Sequence, residues 1–290
     1  MPVFICPVCG YGLERQTGCY VCKNGHRYDC AREGYVNLLP GGKNRSHAGD
    51  SAEMMAARTA FLNGGFYAPL RDALSRLALM ELQKAGPSPL LADAGCGEGY
   101  YTAGAAETLR AQGLEARVSG VDLSRRGVRA AARRAPSAEF AVASIFRMPY
   151  VSGGVNVLLS VFAPLCAGEF RRVLRADGML FVVTPGREHL MGLKRVLYDA
   201  PYENEEKPLP LPGFEKAGEE RLRYTVTVEG ANVRNLFAMT PYYWKTPPAF
   251  AARLKGLEIL ETPVSFCITT LKKTRAEKSG PESDTAGKER

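Results

Sequence analysis

The stretch LLADAGCGEGYYT, residues 90–102, decides how the rest of the chain is read. A short apolar run, Leu90-Leu91-Ala92, ends on Asp93, and glycines follow at alternate positions, Gly95, Gly97 and Gly99. A strand, a tight loop and a helix start are expected there. Glycine lets the main chain turn sharply and approach a bound ligand where a Cβ would collide. The spacing is G-x-G-x-G behind a carboxylate, whereas a pyrophosphate-binding dinucleotide loop reads G-x-G-x-x-G. Asp93 and Glu98 are poor company for a phosphate and suit a cationic ligand with an amino group. That chemistry points to S-adenosylmethionine as cofactor, although a glycine loop by itself can also be a plain turn.

From this loop the pattern extends forward as alternating strands and helices. Strands are predicted at 89–94, 117–122, 139–144, 155–162 and 178–184, and helices at 100–112, 125–135, 168–175 and 187–199. The fold class is α/β: a doubly wound, mainly parallel, Rossmann-like sheet of the kind used by S-adenosylmethionine-dependent methyltransferases. Such sheets bind ligands at the carboxyl ends of their strands. Asp122 ends the second of these strands, about twenty residues past Gly99, where a carboxylate accepts hydrogen bonds from ribose hydroxyls. It can instead cap the next helix, a role Ser124 is also placed to fill. Ser144, at the end of the third strand, is a candidate adenine contact. Phe162 ends the fourth and either stacks on a target base or packs in the core. His189 follows a Pro-Gly turn at the ligand edge of the sheet and is a ligand contact or a structural histidine. Arg125, Arg126, Arg129, Arg133 and Arg134 can bind phosphate, but a solvated helix face is the simpler expectation.

Upstream, a helix through AEMMAARTAFL is capped by Asp50 or Ser51 and ends near Gly64-Gly65. A second runs from Tyr67 or Pro69 to about Lys84, with Leu70, Ala73, Leu74 and Leu77 at helical spacing. Both either close over the ligand or simply pack. Residues 200–222 are rich in proline and charge and are expected to be irregular. Strands follow at 223–229 and 257–271. Between them Tyr242, Tyr243 and Trp244 line a cleft or pack.

The N-terminus carries a different signal. Five of the eight cysteines fall within the first thirty residues. Cys6 and Cys9 form C-x-x-C, Cys22 and His26 form C-x-x-x-H, and twelve residues separate the pairs. Two facing turns of this kind make a closed tetrahedral zinc site, structural rather than catalytic. Cys19 also forms a C-x-x-C with Cys22 and is the rival fourth ligand. A segment this short has too little apolar material for a core of its own, so metal would drive its folding. The glycine-rich stretch 41–50, with Lys43, Arg45 and His47, reads as a linker that can also touch phosphate.

The 290 residues carry a net charge of +8, a balance that favours a polyanionic partner. No apolar run reaches membrane-span length and no leader pattern is seen, so a cytoplasmic protein with no membrane partner is expected. The domain reading is a zinc-binding, RNA-recognition module at 1–40, a linker and helices capping the cofactor site at 41–88, a methyltransferase domain at 89–271 and a disordered tail at 272–290. Homodimerisation is left open.

CPVC with the later C-x-x-x-H, EGYVNLLP at 33–40, GDSAEMM at 49–55, AFLNGGFY at 60–67, DAGCGEGYYT at 93–102 and TPG followed by HL at 184–190 together resemble the bacterial 23S ribosomal RNA guanine-N1 methyltransferases. The resemblance covers the chain to about residue 200. It implies zinc in the N-terminal knuckle and methylation of a guanine in a hairpin loop of 23S RNA within the peptide exit tunnel. Two subgroups modify different guanines, and EFRRVL at 169–174 leans toward the one linked to macrolide resistance. The resemblance also supports cofactor roles for Tyr67, Gly99, Tyr100 and His189. It names no catalytic residue. A methyltransferase acting on a small molecule or protein, and a non-catalytic RNA-binding factor on the same fold, are the competing readings.

Overall fold

The computed structural model describes residues 2–40, 51–206, 209 and 211–274. Lys43, Arg45 and His47, and the tail from residue 275, lie outside the described residues. The chain begins with a small antiparallel ribbon of β1 (Leu13–Gln16), β2 (Cys19–Cys22) and β3 (Arg27–Asp29). A two-residue strand, β4 (Val36–Asn37), leads out of it. Helices α1 (Ala52–Asn63) and α2 (Ala68–Leu82) follow. Then come β5 (Leu90–Ala94), α3 (Tyr100–Ala111), β6 (Arg117–Asp122), α4 (Arg125–Arg134), β7 (Glu139–Val142), β8 (Val155–Val161), α5 (Ala167–Val173), β9 (Leu174–Pro185) and α6 (Met191–Leu197). The chain closes with β10 (Phe214–Glu229), α7 (Ala231–Ala238), α8 (Tyr242–Lys245), α9 (Pro248–Ala251) and β11 (Ile259–Lys273).

The main sheet has eight strands in the order β10-β11-β9-β8-β5-β6-β7-β4. The run from β9 to β4 is parallel, and β11 is antiparallel to both β9 and β10. Strand order reverses at β5, so the crevice beyond the carboxyl ends of β5 and β8 is the ligand-binding position of such a sheet.

Alternation along the strands explains the layers. Leu91 in β5 and Val157 and Leu159 in β8 face one apolar core with Phe61, Leu74 and Leu193 of the helices. Leu90, Ala92 and Leu158 point the other way. On that second face the sheet is covered by α5 and by the N-terminal ribbon. Val3, Phe4, Leu13 and Tyr20 share one core with Val121, Ala141, Tyr150 and Phe170. Phe4 stacks on Tyr150 at 5.9 Å, and the Tyr20 hydroxyl donates to Glu139 Oε2 at 2.6 Å. β4 adds to the sheet edge beside β7. The ribbon is therefore built into the sheet rather than hung from it.

Two expectations are corrected. Part of the segment 200–222 is strand, since β10 begins at Phe214 and pairs with β11 as far as Lys273. Its charges hid it. FEKAGEERLR lacks apolar alternation because the strand lies at the sheet edge, where its backbone pairs on one side and its side chains stay near solvent. Lys272 and Lys273 belong to β11 and not to a tail, since β11 pairs with β10 through Lys273 and with β9 through Lys272. Among the described residues no helix is long and apolar enough to cross a membrane.

Candidate functional site

A cavity of about 540 Å³ opens at the carboxyl ends of β5 and β8. The glycine loop forms one wall. Gly97 sits at φ +52 with open space where its Cβ would be, so a side chain there would enter the cavity. Gly99 begins α3 at φ +79, and a Cβ on it would lie 2.8 Å from Ala131 Cα of α4. That contact lets α4 pack directly against the loop.

Asp93 lies at the floor, 2% exposed. Its Oδ2 accepts the Thr102 hydroxyl at 2.6 Å, and its Oδ1 is buried with no partner. Burial pushes the carboxyl up to about 7, and the Thr102 hydrogen bond only partly offsets this. Asp122 holds the loop from the next strand. It accepts Gly97 N–H at 3.0 Å and Ser124 N–H at 2.7 Å while lining the cavity. The Ser124 hydroxyl takes the helix-capping role, accepting Gly127 N–H at 3.1 Å. Asp122 thus keeps acceptor capacity for a ligand hydroxyl.

Glu98 plays another part than the sequence suggested. It is ion-paired with Arg134, and one of its oxygens accepts the Thr59 hydroxyl at 3.4 Å. Half of the acidic character of the loop is thereby matched by helix α4. The α4 arginines are likewise engaged in part, with Arg129 and Arg133 both paired to Glu33. Ser144 accepts Phe146 N–H at 3.2 Å and does not line the cavity.

The far wall joins residues from remote parts of the sequence. Tyr67, at the start of α2, meets His189 with its hydroxyl 3.3 Å from Nε2. Ser265 N–H donates to His189 Nδ1 at 3.3 Å. This assigns the imidazole proton to Nε2, which donates to the tyrosine oxygen and leaves the tyrosine's own proton available to the cavity. Burial, with the nearby Lys194 charge, drives the imidazole down to about 3, so it is neutral. Phe266 of β11 packs on both rings, 4.9 Å from each. Tyr100 also lines the cavity, with its hydroxyl buried and unpartnered. Toward the mouth stand Phe162, 46% exposed and at φ +54, with Pro164, Met239, Thr240 and Tyr242. Met55 and Arg58 of α1 also line the cavity.

In the ribbon, Cys6, Cys9, Cys22 and His26 bring their donor atoms within 4.8 Å of one another. Cys9 Sγ and Cys22 Sγ are 3.6 Å apart, and His26 Nδ1 lies 3.4 Å from Cys22 Sγ and 3.6 Å from Cys6 Sγ. A tetrahedron with zinc–sulfur bonds of ~2.3 Å has sulfur–sulfur edges of roughly 3.8 Å, so the donors are spaced for zinc. The Tyr28 hydroxyl is 3.2 Å from Cys6 Sγ. Cys19 is buried elsewhere in the ribbon and is not part of this group.

A zinc-ribbon family model described as "RlmA, N-terminal" matches residues 4–47, and one described as "Methyltransferase domain" matches residues 91–178. The chain is 36% identical to the 23S rRNA (guanine(748)-N(1))-methyltransferase of Streptomyces fradiae, over 91% of this chain and 95% of that one. The chain belongs to the 23S rRNA guanine-N1 methyltransferase family. It is also 38% identical to a putative 23S rRNA (guanine-N(1)-)-methyltransferase of Micromonospora griseorubida, over 89% and 92% of the two chains. A Bacillus subtilis protein of the same description is 31% identical over 92% and 95%.

A member of this family carries zinc and uses S-adenosylmethionine, and both groups fit the residues present. The orphaned Asp93 Oδ1 is an acceptor waiting for a donor, and Gly97 leaves ligand space where any other residue would fill it. Sequence reasoning had placed Tyr67, Asp93, Gly95, Gly97, Gly99, Tyr100, Asp122 and His189 at a cofactor site, and all eight line this one cavity or its loop. The helix through AEMMAARTAFL, one of the two expected to close over the ligand or pack, supplies Met55 and Arg58, whereas Met239 and Thr240 were missed because nothing in their local sequence marks them.

Proposed function

We propose that this protein methylates N1 of a single guanine in a hairpin loop of 23S ribosomal RNA, in the cytosol, and that the guanine is the one modified by the Streptomyces fradiae relative. The observation that carries this is the joining of a zinc-spaced Cys3His ribbon and an aromatic-mouthed methyl-donor cavity in one sheet.

Asp93 Oδ1 and the Tyr67 hydroxyl would hold the amino-acid part of S-adenosylmethionine, Asp122 would accept from its ribose hydroxyls, and the Gly95–Gly99 loop would leave room for it. Bound there, the cofactor supplies an activated methyl group. Cys6, Cys9, Cys22 and His26 hold zinc with no open position, so the metal shapes the ribbon and takes no part in methyl transfer.

Guanine must leave its stack to present N1, and the mouth offers Phe162 as a surface against which the splayed base lies. Its left-handed backbone angle is unusual for a phenylalanine and points the ring outward rather than into the core. The protein then acts mainly by orientation, holding base and donor in line. His189 stays neutral with both ring nitrogens engaged and serves as wall, not base. The N1 proton passes to water at the open mouth. The three lining carboxylates, Asp93, Glu98 and Asp122, belong to the glycine loop and its flanking strand ends.

Primer extension on 23S RNA from cells with and without the protein tests this. A strong stop at one loop guanine, present only with the protein and restored by the purified enzyme with S-adenosylmethionine, is expected. Equal extension through the loop in both samples refutes the assignment.

A further inference from the structure

The chain has a single tryptophan, Trp244, which is 67% exposed and stands beside the cavity-lining residues of α1 and α8. It belongs to α8, whose first residue Tyr242 lines the cavity. Its indole Nε1–H donates to Met54 Sδ of α1 at 2.8 Å, and the next residue of α1, Met55, lines the cavity together with Arg58. Tyr243 meets the indole edge-on at 5.1 Å and 81°.

The indole is therefore fixed at its nitrogen and along an edge while most of its surface stays open. The fold has no packing use for so large a ring there. α7, just before it, anchors to the core through Val233, Leu236 and Phe237 instead. An immobilised aromatic surface loses little conformational freedom when a flat partner lands on it. Arg58 on the same side of α1 and the exposed Lys245 bring positive charge to the rim. A nucleobase with its phosphate matches that combination, because unpaired bases are commonly held on pinned aromatics beside cations.

We propose that Trp244 is a stacking platform for an unpaired RNA base neighbouring the methylated guanine. It places the hairpin loop on the rim shared by α1 and α8 and so directs the target toward Phe162. This rests on the RNA-methyltransferase reading above. The rim is continuous with the cavity, which is why the occupant is taken to be the substrate.

The single indole makes the test direct. Full-length protein is titrated with a synthetic hairpin carrying the 23S loop while tryptophan emission is followed. Methylation kinetics are measured for wild type, W244F and W244A, and S-adenosylmethionine binding by calorimetry. RNA-dependent quenching is expected. So is a rise of about tenfold in KM for the hairpin in W244A, a smaller rise in W244F, and unchanged cofactor affinity in both. W244F keeps a ring beside Tyr243 and so reports on the platform even if W244A folds poorly. A hairpin that wild type methylates without any change in emission, or W244A working at the wild-type KM, overturns the platform. Emission that depends on protein concentration and not on RNA assigns the rim to a second copy and also overturns it. Quenching without methylation leaves the platform standing and sinks the functional reading, whereas neither quenching nor methylation defeats both.

Discussion

Asp93 is a carboxylate placed where a carboxylate is unfavourable until something joins it. Its ordinary value near 4 is raised to about 7 by burial. Between pH ~4 and ~7 the folded, ligand-free protein therefore keeps a proton that the unfolded chain has released. Its stability falls as pH rises through that window. Cofactor binding runs the opposite way. The amino group stabilises the ionised carboxylate, so binding below pH ~7 expels a proton, and affinity rises with pH until it levels above ~7. Calorimetry in two buffers of different ionisation enthalpy measures the released proton directly, and D93N is expected to bind more weakly and lose the pH dependence. The place of Asp93 on the cavity floor was legible because its neighbours lie within a few residues. The pairing of Glu98 was not, since its partner Arg134 belongs to another helix. His189 was found by its place after a Pro-Gly turn, but its link to Tyr67 spans most of the fold and leaves no local mark.

Helix α6 shows how an element can be anchored by a charge donating to amide oxygens. Lys194 is completely buried. Its ammonium donates to Tyr202 O at 2.8 Å and Asn204 Oδ1 at 2.7 Å, and it lies over the Tyr202 ring at 4.4 Å. Asn204 Nδ2 in turn donates to Gly186 O at 2.9 Å. The lysine thus clamps the segment after α6 onto the turn that carries His189. Lys194→Met retains the apolar stem and takes the charged donor away from Tyr202 O and Asn204 Oδ1. A loss of about 1–3 kcal/mol in urea unfolding is expected, with weaker S-adenosylmethionine binding because the His189 turn is freed. Wild-type stability together with wild-type affinity would exclude the clamp. Element prediction succeeded wherever an apolar face repeats, as in β5, β6, β8 and α2. It found the second half of β10 at 223–229 and failed at the first, 214–222, which forms through backbone pairing with β11 and shows no such face.

Over the whole molecule, the ribbon and the sheet melt together or not at all. Phe4, Leu13 and Tyr20 share their core with Ala141 and Tyr150, so opening the ribbon uncovers one face of the sheet. Removing zinc, by chelation or by Cys9→Ser, is expected to lower the single melting transition by several degrees without adding a second one. Scanning calorimetry and metal analysis check this, and Cys19→Ser should keep its full complement of zinc. A separate low-temperature transition for the ribbon would contradict the shared core. The ligand spacing that reveals the ribbon is local and could be read directly. Its use as a layer of the fold could not, because the apolar residues of a short segment do not say what they will pack against.

That shared core has a consequence for the order in which the protein is made. The ribbon leaves the ribosome before the sheet does, yet Val36 finds its strand partner only when Ala141 has been synthesised, and Phe4 waits longer for Tyr150. During this interval Phe4 and Tyr20 have no sheet to cover them, and the metal adds to the ribbon's own strand pairing in keeping the nascent segment closed. Zinc supply is therefore expected to govern how much chain reaches the folded state, a yield measurable as soluble protein from zinc-depleted translation, before it affects any finished molecule.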